Sequence, residues 1–409
     1  MKSLIVRSLE AVVSLFKHKK TRKSGSDQKY LFLPLFGMIG DGVLFLDALS
    51  GYLSFFHDEQ GYRVVIGCRH QMADLIKMVY PDKVYEIVEM NRNRMQRSLK
   101  EFLSCLTRLE KYNFDLILNV RERLSDENIL IYAIPAKQKI TFRNNDAEPE
   151  NIVKRFFYRN TYDSVVYADP DADQYKRYGK FLRELGYKDY VSHISRIPMQ
   201  QELGTQRKKS NEPYIIISPG ASDEKKCWPT DRFAILCDRI ITDFDMDVYI
   251  TGAGADRKYA DIIRQSVKNR ERVYDYCGNT SIPEWIELIR GAKLVISNDS
   301  ASVHVAAAVQ TPSVCIAPQH DGYRFLPFQP DEVRPDDVLP YPVRCDRVNC
   351  FDCRLNNRKD EIYGDIDCQD SIKKLGAFKC ISGIAVEMVY TEIGKLLKGS
   401  AENEDQISE

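Results

Sequence analysis

Short β-rich runs alternate with amphipathic helical stretches twice along this 409-residue chain, once on each side of a polar interruption. Such alternation is the signature of parallel sheets covered by helices, and it constrains the fold more than any other feature. In the first series the strand runs are Tyr30–Pro34, Arg63–Cys68, Val84–Val88 and Phe114–Val120, with helical stretches that include Asp41–Phe56 and Met95–Tyr112. Around Gln200–Pro213 the sequence turns polar (QQELGTQRKKSNEP) and reads as a linker. The second series runs through Tyr214–Pro219, Asp247–Gly252, Arg272–Tyr276, Lys293–Asn298 and Ser313–Pro318, and a last helix is expected near Ile384–Leu397. Two α/β domains with a cleft between them follow, with ligands expected at the carboxyl ends of strands.

Composition narrows the function. The 59 Lys+Arg balance 59 Asp+Glu, which argues against a dedicated nucleic-acid binder. The 44% hydrophobic content excludes a disordered chain. No apolar run approaches the ~20 residues of a membrane span. Eleven cysteines, an odd total, and an N-terminus whose Arg7 and Glu10 break any signal-like apolar run predict a cytoplasmic protein. Leu4, Ile5, Leu9, Val12, Val13 and Phe16 recur at helical spacing and are followed by Lys17, Lys19, Lys20, Arg22 and Lys23. Such a segment either lies in an anionic membrane interface or packs on the body ahead of a solvated linker.

Four strand-to-helix junctions carry special residues. Ser218-Pro219-Gly220-Ala221-Ser222 leads to Lys226-Cys227-Trp228-Pro229 and a helix. Small residues there let backbone N–H groups and a hydroxyl approach an anion, and Lys226 adds a point charge; the alternative is an ordinary loop with a core tryptophan. Thr251-Gly252-Ala253-Gly254-Ala255-Asp256 begins like a dinucleotide fingerprint, but Arg257 occupies the sixth position. Asp256 would accept from ribose hydroxyls or cap the next helix. Asn298-Asp299-Ser300-Ala301-Ser302-Val303-His304 opens a small-residue helix, with His304 one turn in, as a core residue or a catalyst. In the first series, Phe36-Gly37-Met38-Ile39-Gly40-Asp41-Gly42 places Asp41 either as a helix cap or as a carboxylate available for general-base work. Two acidic patterns, Asp243/Asp245/Asp247 and Asp169/Asp171/Asp173, read as structural turns rather than metal sites.

In this order the pieces resemble glycosyltransferase family 9, the family of bacterial ADP-heptose:lipopolysaccharide heptosyltransferases. The resemblance rests on FGMIGDGVLFLDAL, SPGASDEKKCWPTDRFAILCDRI, the GAGAD loop and CGNTSIPEWIELIRGAKLVISNDSASVHVAAAVQTPSV. It covers roughly residues 30–395, loosely between about 55 and 200. It implies a GT-B fold, two Rossmann-like domains facing each other across a cleft, acceptor-binding first and donor-binding second. It implies an inverting, metal-independent transfer of sugar from a nucleoside diphosphate, with ADP-heptose as the donor, to a lipopolysaccharide core or related surface glycan. By the same resemblance Asp41 is the catalytic base, and Lys226, supported by Ser222, neutralises the leaving diphosphate. Asp256 contacts the nucleoside, Asp299 holds donor sugar hydroxyls, Ser300 and Ala301 offer backbone N–H groups to phosphate, and His304 orients the motif. Ala301 stands where many relatives carry glycine. Arg324, in a loop unlike that of well-known heptosyltransferases, meets either the diphosphate, an acidic acceptor or a surface carboxylate. Other functions with the same architecture are a nucleotide-sugar epimerase and a nucleotide-sugar-binding protein without transferase activity.

The expected organisation is a basic amphipathic segment (1–28), an acceptor domain (29–199), a linker (200–213), a donor domain (214–344), a cysteine-bearing segment with a C-terminal helix (345–400) and an acidic tail (401–409). Cys345, Cys350, Cys353, Cys368 and Cys380 follow C-x4-C-x2-C-x14-C-x11-C. Cys350, Cys353, Cys368 and Cys380 can close a structural zinc or iron site, remain packed thiols or form a disulfide. Catalysis itself is expected to need no cofactor. The partners expected are the donor, a glycan or glycolipid acceptor and peripheral contact with the inner membrane, with no nucleic acid.

Overall fold

A computed structural model of the chain describes residues 28–84, 86–95, 97–121, 127–143, 152–199, 212–319, 324–345 and 366–407. The N-terminal basic segment, the core of the polar linker, Cys350 and Cys353 lie outside the described residues. The chain divides into two units, Met1–Ser192 and His193–Glu409.

In the first unit six parallel strands form one sheet: β1 (Tyr30–Leu35), β2 (Arg63–Cys68), β3 (Glu86–Glu89), β4 (Phe114–Asn119), β5 (Ala136–Arg143) and β6 (Ser164–Tyr167). Their order is β3-β2-β1-β4-β5-β6. Helices α1 (Ile39–Tyr52), α2 (His70–Val79) and α3 (Leu99–Glu110) cross between strands, and α4 (Gln174–Glu184) follows the last strand. The segment Ile39–Glu59 is long and apolar enough to cross a membrane, yet most of it is buried inside this unit. A Cβ on Gly42 of α1 would meet the Sδ–Cε tip of Met72 on α2, which would have to shift to make room.

The second unit repeats the plan with β7 (Tyr214–Ser218), β8 (Asp247–Ile250), β9 (Val273–Asp275), β10 (Leu294–Asn298), β11 (Ser313–Ile316) and β12 (Tyr341–Val343). Read from its far edge the order is β9-β8-β7-β10-β11-β12, again first-strand-central and all parallel. Helices α5 (Thr230–Phe244), α6 (Arg257–Ser266), α7 (Ile282–Arg290), α8 (Ala301–Ala308) and α9 (Val386–Ile407) belong to it. β7 and β10 are buried along their whole length, as a parallel strand covered on both faces must be. Burying each isoleucine there contributes roughly 1.5–3 kcal/mol.

The strand runs read from sequence are all present, and three strands were not anticipated. β5 (AKQKITFR) is exposed in its first half and carries a buried lysine, so it lacks an apolar signal. β6 and β12 are short edge strands, and β12 contains Pro342, which an edge tolerates. The unit boundary also differs from the expected one at residue 199. Residues 193–199 are fastened to the second unit: the Ile197 N–H donates to Ala308, Arg290 donates to the Ile197 carbonyl, and Arg196 pairs with Asp337 at 2.6 Å. The cysteine-bearing segment is part of the same unit, since Cys345, Cys380, Phe378 and Ile381 join the core around Trp228. Helix α9 runs on to Ile407, through most of the acidic tail.

Lys139 on β5 donates from Nζ to the carbonyls of Ile131 and Tyr132, at 2.8 and 3.0 Å, at the end of the helix Glu127–Ala133. Burial lowers its ammonium pKa to about 8. The folded protein therefore releases this proton at lower pH than the unfolded chain, so the penalty is full below about 8 and fades as pH rises towards the ordinary lysine value. Urea unfolding of wild type and Lys139→Met at pH 7 and pH 10 should show the wild type gaining about 2.5 kcal/mol on the variant between the two.

Candidate active site

In each sheet the strand order reverses beside the central strand, between β1 and β4 and between β7 and β10. Helices leave such neighbours on opposite faces, and a crevice opens at their carboxyl ends. In the second unit this point is occupied by the two loops singled out from sequence. The loop after β7 is pinned to the end of β10 by Asn298, which is fully buried: its amide donates to the Pro219 carbonyl at 2.6 Å and its Oδ1 accepts from the Trp228 N–H at 3.0 Å. Trp228, 1% exposed, anchors the loop from beneath. Its indole N–H donates to the Ile384 carbonyl at 2.9 Å, and Arg232 donates to the carbonyls of Ser382 and Ile384.

This pinning brings Lys226 and Asp299 together at 2.9 Å, with their side chains 8% and 10% exposed. Removing either partner of so buried a pair strands a charge at a cost of about 3–5 kcal/mol. Asp299 is followed by Ser300 and Ala301, which begin α8. The Ser300 hydroxyl makes no cap bond to the helix; it pairs with Ser297 at 2.8 Å. The opening N–H groups of α8 are thus not taken by the side chain that ordinarily would satisfy them.

Asp256 lies at the same edge, beyond β8. Its Oδ2 accepts from the Ala253 N–H at 2.8 Å. A Cβ on Gly220 would fall within the Asp256 carboxylate, and one on Gly252 would stand 2.7 Å from its Oδ2. Both glycines are therefore needed for the carboxylate to lie over the loops. Gly278 (φ +70) closes the far side, and a Cβ there would stand 2.7 Å from the Gly254 Cα. His304 is 6% exposed and stacks on Phe328 with ring centroids 5.7 Å apart. Ser222 is exposed in the loop, and Arg324 lies against the Phe325 ring at 5.0 Å.

Asp41 belongs to the first unit, in the first turn of α1. Its Oδ2 accepts from the Met38 N–H at 2.9 Å, and the carboxylate is exposed. The carboxylate thus helps cap the start of α1, and it keeps lone pairs beyond the one used there. Cys380 is buried and Cys368 half-buried in the second unit's core. Among the described residues no group of three His, Cys, Asp or Glu is placed to hold a metal ion. Residues of the two acidic patterns make local structural contacts: Asp173 caps α4, Arg272 binds Asp245 and Asp247, and Asp243 accepts from Tyr390.

Sequence reading missed the hydroxyl set Ser218, Thr251, Ser297 and Ser302, all buried at this edge. The signal was present, because a serine ends or nearly ends two otherwise apolar strands. It also missed three arginines at the carboxyl edge of the first sheet: Arg69 after β2, Arg121 after β4 and Arg143 at the end of β5. Arg143 is 5% exposed and lies over the Tyr162 ring at 5.4 Å, and Tyr162 bridges Asn119 and Asn128.

The family model of glycosyltransferase family 9 (heptosyltransferase) matches residues 102–334. Lipopolysaccharide heptosyltransferase 1 of Campylobacter coli is 23% identical over 256 residues, 59% of this chain and 71% of that protein. The structure of a glycosyl transferase family 9 protein from Veillonella parvula matches with TM-score 0.68 at 15% identity, over 92% of this chain and all of that one. That of E. coli ADP-heptose lps heptosyltransferase II matches with TM-score 0.63 at 17% identity, over 91% of this chain and all of that one. Together they establish two Rossmann-like domains of the GT-B fold.

Burial pushes the Asp256 carboxyl up, so the folded protein holds this proton where the unfolded chain has lost it, and stability falls as pH rises through that window. Asp256→Asn should therefore melt above wild type at neutral pH, with the gap narrowing as pH falls towards about 4; thermal unfolding at the two pH values checks this.

Proposed function

The chain belongs to glycosyltransferase family 9, and from that membership we propose that it transfers heptose from ADP-heptose to an anionic glycan of the lipopolysaccharide core, with inversion and without a metal. The observation that carries the donor half is the buried Lys226–Asp299 pair at the β7/β10 switch point, beside the uncapped start of α8. A lysine held there by a carboxylate is a cation stored where a diphosphate would arrive.

In the reaction the acceptor hydroxyl oxygen attacks the anomeric carbon while Asp41 takes its proton. The bond from that carbon to the diphosphate oxygen breaks, and its electron pair leaves with the nucleoside diphosphate. The charge growing on the leaving oxygens is met by Lys226 and by the N–H groups of Ser300 and Ala301, preorganised donors of the kind that can do a metal ion's work. Attack opposite the leaving group inverts the anomeric centre. Asp256 binds the nucleoside, Asp299 directs Lys226 and holds the donor sugar, and Ser222 supports the diphosphate from the loop.

The acceptor assignment rests on Asp41 and on Arg69 and Arg121 at the carboxyl edge of the first sheet, cations suited to phosphates or carboxylates, with Arg143 buried at the same edge. A lipid-linked acceptor would place the enzyme at the inner face of the cytoplasmic membrane, where the basic segment of residues 17–23 would find anionic lipid. Heptose is supported by the names of the similar proteins, which are heptosyltransferases acting on lipopolysaccharide.

Two measurements test this. Calorimetric titration with ADP, UDP and GDP should show saturable binding of ADP alone, weakened in folded Lys226→Ala. With ADP-heptose and a heptose-acceptor core, Asp41→Asn should lose about 10²–10⁴ in kcat while its affinity for ADP stays that of wild type. Release of free ADP without acceptor, or full activity in Asp41→Asn, would refute the transfer mechanism.

A further inference from the structure

We propose that Ser302, backed by Ser218 and Thr251, is a positioning residue that sets the start of α8 for the donor's diphosphate; this rests on the donor reading above. Three buried hydroxyls form a chain. Ser302 Oγ donates to Ser218 Oγ at 2.7 Å, and Ser218 Oγ lies 2.9 Å from Thr251 Oγ1. Each hydroxyl has one proton and two lone pairs, so Ser218, an acceptor from Ser302, still has both a proton and a lone pair for its bond with Thr251, in which either oxygen can donate. The three are 4%, 3% and 1% exposed, where an interrupted chain cannot turn to water.

The chain ties three elements at one level of the sheet edge: the end of β7, the residue after β8 and the first turn of α8. Ser218 is also the register partner of Ser297, whose hydroxyl holds that of Ser300 at 2.8 Å. The helix begins without its usual side-chain cap, and the buried Val303, Val305 and Ala306 near its start are apolar groups that pack without direction. Ser302 supplies the directional bond. Displacing amide donors by about an ångström from the phosphate oxygens is enough to lose most of their value.

The test is calorimetric binding of ADP to wild type, Lys226→Ala, Ser302→Ala, Ser218→Ala and the Ser218→Ala/Ser302→Ala double variant, with thermal unfolding alongside. Each single serine variant should bind ADP about tenfold more weakly, and the double variant no more weakly than either single, because one chain is broken in all three. Thr251→Val, close in shape, removes the terminal hydroxyl and should show the same loss; it carries the test if Ser302→Ala does not fold. Wild-type affinity in Ser302→Ala and Thr251→Val, with Lys226→Ala weakened, would overturn this inference alone. Losses that multiply in the double variant would also overturn it. Failure of wild type to bind ADP, UDP or GDP would remove the donor reading and this inference with it.

Discussion

One buried amide holds the second unit's edge together. Asn298 accepts from the Trp228 N–H and donates to the Pro219 carbonyl, so the loop leaving β7 cannot depart from the end of β10. Lys226 lies on that loop and Asp299 follows Asn298, and their ion pair exists because the amide fixes both. A fully buried asparagine is affordable only with its hydrogen bonds made, and here both ends of the side chain are used. The hydroxyl chain at Ser218 and the carboxylate of Asp256 over Gly220 are arranged around the same pinned loop.

The two units share a strand order and differ in what they place at the switch point. In the second, small residues, one lysine and an uncapped helix start suit a diphosphate. In the first, Asp41 bonds to the Met38 N–H at the start of α1, and arginines follow β2 and β4 and end β5. Under the proposed function the same scaffold would serve as an anion cradle in one copy and would carry the base in the other. Fold supplies the edge, and residues supply the chemistry.

Much of this was legible in the sequence. The central strands were readable because burial on both faces demands unbroken apolar runs, as in Tyr214–Ser218 and Leu294–Asn298. Lys226 and Asp299 were singled out at their junctions, though not as partners, because 73 residues separate them and only the parallel pairing of β7 with β10 brings them together. β5 hid behind Lys139, whose ammonium is satisfied by helix-end carbonyls that no local pattern reveals. The boundary at residue 192 was missed because polar sequence marks where a chain is solvated, whereas Arg196 and Ile197 are claimed by bonds to distant residues. His304 was read as a core residue or a catalyst, and its stacking on Phe328 could not be foreseen because the partner ring lies well beyond the motif.

The bond from the Trp228 indole to the Ile384 carbonyl spans 156 residues. Arg232 reaches the same turn, and Ile381 and Ile384 pack in the core around Trp228. During synthesis the first unit can fold as soon as it leaves the ribosome, but the loop carrying Lys226 waits for the chain to pass Ile384. A nascent chain halted before that point has every residue of these loops and lacks the support that shapes them. On the proposed donor reading, competence would arrive late, once the support around Ile384 is in place, rather than with the segment that contains the loops.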